Sequence, residues 1–227
     1  MTGRLLLAVD TSGPTVTAAL HDGRTVLAEA HRADPRRHAE LLAPLIVQVL
    51  ADAGRSRGEL TDVVAGVGPG PFTGLRVGVV TARMLGVVLG VPVHGVCSLD
   101  ALAEAAPVDL PAFLVATDAR RREVHWARYH RGPSGRAVRD DGPHVALPAD
   151  VPTGGLPVVG RGAALYPQAL GEPVRGAPPD VDAGVLAGLA ARALATGTPD
   201  GVLLPPEPLY LRRPDAVEPG ARKRVLT

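Results

Sequence analysis

Residues 68–78 read Gly68-Pro69-Gly70-Pro71-Phe72-Thr73-Gly74-Leu75-Arg76-Val77-Gly78 and join an apolar segment to a helical one. Their closely spaced glycines are similar to a phosphate-binding loop, in which successive backbone N–H groups and usually a lysine meet the phosphate at a helix start. Pro69 and Pro71 each lack that N–H, and no Lys-Ser or Lys-Thr pair follows. We therefore interpret Gly68, Pro69, Gly70, Pro71, Phe72, Gly74 and Gly78 as a stiff structural loop at a strand-to-helix corner.

The composition indicates a soluble, cytoplasmic protein. At 227 residues the chain can bury a sizeable core, and a formal net charge of +1 gives no whole-chain attraction to nucleic acid or to an anionic membrane. The single cysteine, Cys97, excludes an internal disulfide and a cysteine-based zinc site, and its apolar surroundings predict a buried, inert thiol. The apolar run that ends at Val9 is too short for a signal peptide or a spanning helix.

Apolar periodicity orders the first half of the chain as βββαβαβ followed by a short helix. It predicts strands over residues 4–9, 15–20, 25–30, 63–67 and 93–96, and helices over 38–53, 73–89 and 98–105. The second half begins again, with strands over 112–116, 123–129, 136–145 and 156–159, a helix over 181–195 and an extended tail over 203–213.

Each half opens on a strand, an aspartate, a turn and a second strand, with Asp10 and Asp118 in equivalent places. This repetition predicts an α/β fold of the actin-like (ASKHA, ribonuclease H-like) kind, with duplicated βββαβαβ lobes of which the second is reduced. Residues 1–105 would form the N-terminal lobe with partner-binding helices. Residues 106–227 would form the smaller C-terminal lobe with its extended tail.

The turn Asp10-Thr11-Ser12 is a candidate nucleotide site, because actin-like ATPases place an acidic residue and small hydroxyls around phosphate and magnesium at this junction. The alternative is an Asx-type turn in which Asp10 caps the chain reversal. Asp118 would mark the second phosphate turn, but no glycine accompanies it and three arginines follow. We interpret Asp10, Thr11, Ser12 and Asp118 as a vestigial nucleotide site. An active ATPase or small-molecule kinase that uses Asp10 stays open as the alternative.

The histidines do not have the spacing of a metal site. On a helix, two ligands would lie four residues apart, but Leu42 occupies that position after His38. His125 and His130 are five apart in a predicted strand and so face opposite ways. We therefore expect no metal.

Arg120, Arg121 and Arg122 precede Trp126, the only tryptophan of the chain. Arginines beside an aromatic ring could grip a phosphate backbone. We prefer the simpler interpretation, in which the arginines cover a hairpin turn and Trp126 fills the core of the second half.

Both sides of the helix predicted over residues 73–89 are too apolar for a helix that has one face in water. Leu75, Val79, Ala82, Leu85 and Leu89 form one side of it, and a mixed second side carries further apolar residues. Together with the stripe of the first helix, this indicates packing against another subunit. The predicted partner interface is His38, Leu41, Leu45, Val49, Thr73, Arg76, Val80, Arg83 and Val87. Gly74 and Gly78, one turn apart, would admit the close approach of a neighbouring backbone.

These motifs together resemble the bacterial tRNA threonylcarbamoyladenosine biosynthesis protein TsaB family, a relative of TsaD. Beyond the glycine-proline run, the matching landmarks are Asp10-Thr11-Ser12, His38, Asp118-Ala119-Arg120, Glu123-Val124, Trp126-Ala127 and Pro208-Leu209-Tyr210-Leu211-Arg212. They lie in order over nearly the whole chain. Two positions depart from the family pattern: Pro71 stands where members usually carry Ser, and Arg122 where a small residue precedes Glu123.

The resemblance implies an actin-like, two-lobed subunit that has lost its own catalysis and needs no cofactor. Members pair with the catalytic paralogue TsaD through the N-terminal lobe, and the ATPase TsaE joins the pair. Together they transfer threonylcarbamoyl to the adenosine next to the anticodon of tRNAs that read codons beginning with A. This chain would form a homodimer when TsaD is absent and would contact tRNA only indirectly or through the complex. The assembled complex would be the place for ATP or ADP.

A metalloprotease-like enzyme is a third alternative, and it would need a metal. The paralogue holds its metal with a His-x-x-x-His pair, of which only His38 has a counterpart here.

Overall fold

The computed structural model describes residues 3–197 and 201–212, and its first half forms a five-stranded sheet. The strands are β1 (Leu6–Asp10), β2 (Thr15–His21), β3 (Val26–Ala33), β4 (Asp62–Gly66) and β5 (Val93–Val96). They lie in the order β3-β2-β1-β4-β5, in which the first three form an antiparallel meander and β4 and β5 run parallel to β1. The order of elements along the chain that was predicted for this lobe, βββαβαβ, is confirmed.

The second sheet repeats this arrangement in a shorter form. Its strands are β6 (Ala112–Asp118), β7 (Val124–Arg131), β8 (Ala137–Ala146) and β9 (Val158–Val159), in the order β8-β7-β6-β9. β6 pairs antiparallel with β7 and parallel with β9, as β1 does with β2 and β4. No counterpart of β5 stands at its edge in the described part of the chain, so the reduced second lobe is confirmed.

Six α-helices accompany the sheets within the described residues. They are α1 (His38–Asp52), α2 (Phe72–Leu89), α3 (Ser98–Glu104), α4 (Arg161–Leu165), α5 (Pro167–Leu170) and α6 (Ala183–Thr196). The short helices α4 and α5 were not predicted from the sequence. Each is about one turn long, which gives no readable apolar period.

Alternating side chains of the strands fill separate cores. Leu6 and Ala8 of β1 point into the central core, which α3, α6 and the second sheet complete. Leu7 and Val9 point the other way, into a core that α1 and α2 close. Trp126 lies in the outer core of the second sheet, as predicted.

Helix α6 packs on β1 and β2 of the first sheet, although its residues belong to the second half of the chain. The boundary between the two lobes, which was predicted to lie between residues 105 and 106, therefore stays a prediction. Residues 213–227 of the predicted second lobe, and the last residue of the predicted tail, lie outside the described residues.

The described part of the C-terminal tail lies against the N-terminal lobe. Leu204 exchanges two backbone hydrogen bonds with Gly95, and the Leu209 N–H donates to the carbonyl of Val67. This segment was predicted to be extended, and over residues 203–212 it forms no helix but bends at residues 206–207 and 211–212. The tail thereby brings Tyr210 to the start of α2, where its ring stacks on Phe72 with the centroids 5.0 Å apart.

Candidate functional site

The turn after β1 is buried, and its side chains are hydrogen-bonded to other groups of the same chain. Asp10 and Thr11 are each 1 % exposed and Ser12 is 7 % exposed. The Asp10 carboxylate accepts hydrogen bonds from the Ser12 N–H at 2.8 Å, the Ser12 hydroxyl at 2.7 Å and the Ser98 hydroxyl at 2.6 Å. The Asx-type turn weighed from the sequence is therefore present.

Thr11 bridges two backbone groups of α2. Its hydroxyl donates to the carbonyl of Gly74 at 2.7 Å and accepts from the N–H of Gly78 at 2.9 Å. In a regular α-helix these two groups would pair with each other, because the bond runs from residue i to residue i−4. The turn after β1 is thus joined to the helix that follows the glycine-proline corner.

The glycines of the glycine-proline corner leave room for the turn after β1. A Cβ on Gly78 would lie 2.6 Å from the Thr11 hydroxyl oxygen, and one on Gly70 would lie 2.5 Å from the carbonyl oxygen of Ser12. Gly74 likewise faces the Thr11 carbonyl, at 3.0 Å. The sequence predicted a neighbouring backbone here, and the structure shows that this backbone belongs to the chain's own turn.

Ser98 joins the same network from the start of α3. Its backbone N–H donates to the carbonyl of Gly68, and its hydroxyl accepts from the Gly68 N–H at 3.0 Å while donating to Asp10. The Gly68–Pro69 peptide bond is cis. This role of Ser98 was missed from the sequence, because its hydrogen-bond partners lie 30 and 88 residues away along the chain.

Burial raises the pKa of the Asp10 carboxyl above its usual value, against the opposing effect of the Ser98 and Ser12 hydrogen bonds. A Cβ on Gly66 would fall on the Asp10 carboxylate, so the adjacent strand encloses it closely. A carboxyl in these surroundings is poorly placed to hold the hydrated magnesium of a nucleotide.

A narrow cleft of about 170 Å³ separates the two lobes beside this turn. Asp118 lines it, as the duplicated fold requires, and its carboxylate accepts from the Arg120 N–H at 2.8 Å. Across the cleft, Asp180 forms an ion pair with Arg161 and accepts from the Thr15 hydroxyl. Pockets that hold drug-sized ligands typically measure about 300–1,000 Å³, so this cleft is small for a nucleotide.

Three of the predicted interface residues on α1 face inward. Leu45 is 2 % exposed and Val49 is fully buried in the core beneath the helix. The His38 ring pairs with the carbonyl of Gly13 at 2.9 Å and lies against Gly74. The prediction is corrected for these three: α1 uses them to hold its own lobe. Leu41 is half-buried.

The mixed face predicted for α2 lies at the surface. Thr73, Arg76, Val80, Arg83 and Val87 are all exposed, whereas the opposite side packs into the lobe. Arg76 lies over the Phe72 ring, 4.6 Å from its centroid.

An apolar stripe runs along this exposed face. Val80 is 53 % exposed, Met84 56 %, Val87 78 % and Val88 72 %, at the i, i+4, i+7 and i+8 spacing of one helix side. Val47 of the neighbouring α1 is 67 % exposed. We define Val47, Val80, Met84, Val87 and Val88 as the apolar stripe. Met84 and Val88 were not predicted from the sequence. Met84 lies four residues after the predicted Val80, and Val88 lies four residues after Met84.

Helix α2 is long and apolar enough to cross a membrane by length and composition, with a mean hydropathy of 1.5 and 28 % of its residues buried. Its inner side nevertheless packs on β1, β4 and α1, as a core helix does.

No three His, Cys, Asp or Glu side chains within the described residues gather where they could hold a metal. The side chain of Leu42, at the position that a second helical ligand would take, is buried. Cys97 is also buried, and burial raises the pKa of its thiol to about 12.

Comparison with known proteins identifies the family. The TsaD family, described as tRNA N6-adenosine threonylcarbamoyltransferase, matches residues 27–146, which is more than half of the chain. The chain belongs to this family. A Mycobacterium tuberculosis protein without an assigned function is 46 % identical over 217 residues, which cover 93 % of both chains.

The relatives that carry a name are TsaB proteins, and the chain is similar to them over somewhat more than half of its length. The tRNA threonylcarbamoyladenosine biosynthesis protein TsaB of Escherichia coli is 34 % identical over 132 residues, 57 % of each chain. The solved structure of YeaZ from Pseudomonas aeruginosa superposes with a TM-score of 0.75 at 28 % identity, covering 92 % of this chain and all of that one. The fold is the two-lobed, actin-like architecture predicted from the sequence.

Proposed function

We propose that this chain is a non-catalytic partner subunit that supports a TsaD protein in forming N6-threonylcarbamoyladenosine next to the anticodon of tRNAs that read codons beginning with A. Its named relatives are TsaB proteins of tRNA threonylcarbamoyladenosine biosynthesis. The observation that carries the proposal is the apolar stripe on the outer face of α2, opposite the side of the helix that packs into its own lobe.

The stripe has the character of an interface. Large apolar side chains clustered on one helix face mark an association surface, since isolated exposed apolar residues are common but contiguous ones are not. Arg76 and Arg83 flank it, and arginine is enriched at interfaces.

The family match supports TsaD as the occupant. The matched region, residues 27–146, includes both α1 and α2, so a TsaD protein carries a homologous helix pair. Two such pairs can pack face to face and bury about 1,600 Å², the area of a standard stable interface. In the absence of TsaD, a second copy of this chain would cover the stripe. TsaE would join the assembled pair, where ATP or ADP would bind, and tRNA would contact the complex chiefly through TsaD.

The state of the turn at Asp10 supports a role without catalysis. Its carboxylate and the Thr11 hydroxyl are engaged with Ser12, Ser98 and α2. An ATPase would need these groups free to meet phosphate and magnesium.

Reconstitution tests the proposal. Purified TsaD and TsaE should form threonylcarbamoyladenosine on tRNA only when this chain is added, and Asp10→Ala, if folded, should support the same rate. The ATPase alternative expects magnesium-dependent ATP binding by this chain alone. Calorimetric heat at millimolar ATP, together with loss of activity in Asp10→Ala, would replace the partner role with that alternative.

A further inference from the structure

The cleft between the two lobes is closed by a carboxylate of the chain itself. Asp180, in the loop before α6, accepts two hydrogen bonds from the Arg161 guanidinium, from Nε at 2.8 Å and from Nη2 at 2.5 Å. The Thr15 hydroxyl donates to the same carboxylate at 2.6 Å. Thr15 begins β2 of the first sheet and Arg161 begins α4 beside the second, so Asp180 joins the two lobes. We call these three residues the Asp180 clasp.

The donors of the Asp180 clasp are those of an oxyanion site. An arginine and a hydroxyl that converge on one pair of oxygens can bind a phosphate as well as a carboxylate, because the guanidinium fork matches the geometry of both. Here the pair of oxygens belongs to Asp180. Its side chain is only 14 % exposed, and its carboxylate takes the place that an anionic ligand would occupy.

The turn that carries Arg161 is packed closely against the second sheet. A Cβ on Gly160 would lie 2.6 Å from the carbonyl oxygen of Ala116 in β6. The Arg161 N–H donates to the carbonyl of Pro179 at 3.0 Å, which ties this turn to the residue before Asp180. The backbone therefore holds Arg161 at the cleft independently of the Asp180 side chain.

The charged side chains that line the cleft compensate one another. Within the described residues they form two pairs, Arg120 with Asp118 and Arg161 with Asp180. Asp180 raises the pKa of the Arg161 guanidinium most, and Asp118 adds to this effect. A phosphate that entered the cleft would meet no free cation. Without the Asp180 carboxylate, the same lining would carry one positive charge in excess.

We propose that Asp180 is a built-in ligand, whose carboxylate fills an oxyanion site formed by Arg161 and Thr15 and so keeps phosphate groups out of the cleft. Removal of this carboxylate opens the site to a small oxyanion such as inorganic phosphate. The inference concerns this chain alone and does not depend on the partner role. It adds a second obstacle to nucleotide binding, besides the hydrogen bonds that engage Asp10.

Thermal unfolding with and without inorganic phosphate tests the inference. Asp180→Ala should lower the melting temperature by about 4 °C, because Arg161 loses its partner. Phosphate at about 10 mM should then raise the melting temperature of this variant by about 3 °C more than that of the wild type, as expected for a dissociation constant of about 1 mM. Sodium chloride at the same ionic strength is the reference, so that charge screening is equal.

Glu40→Ala is the matched control, because it removes the carboxylate that pairs with an arginine outside the cleft, Arg37. Both side chains of that pair are exposed, so this variant should respond to phosphate like the wild type. Adding Arg161→Gln to Asp180→Ala should abolish the response. Asp180→Ser also removes the carboxylate, and it replaces Asp180→Ala if that variant does not fold.

Three results would overturn the proposal. The first is a phosphate response of Asp180→Ala no larger than that of the wild type, which would make the Asp180 clasp an ordinary ion pair between the lobes. The second is an equally large response of Glu40→Ala, and the third is a response that persists after Arg161→Gln is added.

Discussion

The Thr11 hydroxyl lies 2.9 Å from the backbone nitrogen of Gly78 and accepts its hydrogen. These residues are 67 positions apart, and their bond joins the two motifs that stand out in the sequence. The glycine-proline corner is thus shaped by the turn it encloses. By fixing the start of α2, the turn also fixes the direction in which the apolar stripe faces.

Gly70→Ala should destabilise the fold by about 1–3 kcal/mol, because its Cβ would meet the Ser12 carbonyl oxygen at 2.5 Å and backbone cannot easily yield. Gly58→Ala is the matched control, since the nearest atom to its Cβ is 4.0 Å away. Chemical denaturation measures both. Equal stability of the two variants would show that the turn and the corner are not tightly packed.

Thr11→Val should cost about 1–2 kcal/mol, because it removes the hydroxyl that serves both Gly74 and Gly78 while keeping the side-chain volume. Thr11→Ser keeps that hydroxyl and should remain closer to the wild type. The comparison uses free energies of unfolding from urea titration. A serine variant as unstable as the valine variant would assign the loss to packing instead.

Leu45→Asp and Val47→Asp should separate the core side of α1 from its surface. Leu45 is 2 % exposed and Val47 is 67 % exposed, so a charge at Leu45 should cost at least about 3 kcal/mol and one at Val47 less than about 1 kcal/mol. Thermal unfolding followed by circular dichroism gives the comparison. Similar melting temperatures of the two variants would mean that α1 is turned about its axis and that Leu45 does not face the core.

The stability of the protein should fall in acid through His125. Burial lowers the pKa of this imidazole from 6.5 to about 4, with Asp118 opposing the shift. Between these values the unfolded chain binds a proton that the folded chain does not, so the free energy of unfolding decreases as pH falls from 6.5 to 4, by up to about 3 kcal/mol. His125→Phe should flatten this part of the pH profile. A profile of unchanged slope would assign the acid sensitivity to other groups, such as His21, whose pKa burial also lowers.

Much of the fold could be predicted because its signals are local. The repeated strand–aspartate–turn pattern at Asp10 and Asp118 gave the duplication, and apolar periods gave α1, α2 and α6 close to their observed bounds. The stacking of Tyr210 on Phe72 could not be predicted in this way, since it depends on where a proline-rich tail crosses the lobe.

The predicted interface residues divide between surface and core. In α2 the apolar residues exceed what the lobe's own core covers, and Val80 and Val87 lie at the surface, so their place in an interface stays a prediction. In α1 the apolar residues form a single stripe, and periodicity alone does not say whether such a stripe meets its own sheet or a partner. The structure assigns Leu45 and Val49 to the sheet.

The measurement that tests the partner role most directly is isothermal titration calorimetry of this chain with purified TsaD. Val80→Glu and Val87→Glu should each weaken binding at least about a hundredfold, because each would bury an unpaired charge at the centre of the interface. Val108→Glu places the same change at a valine that is 81 % exposed outside the helices, and it should bind like the wild type. Unchanged affinity of both α2 variants would contradict the account.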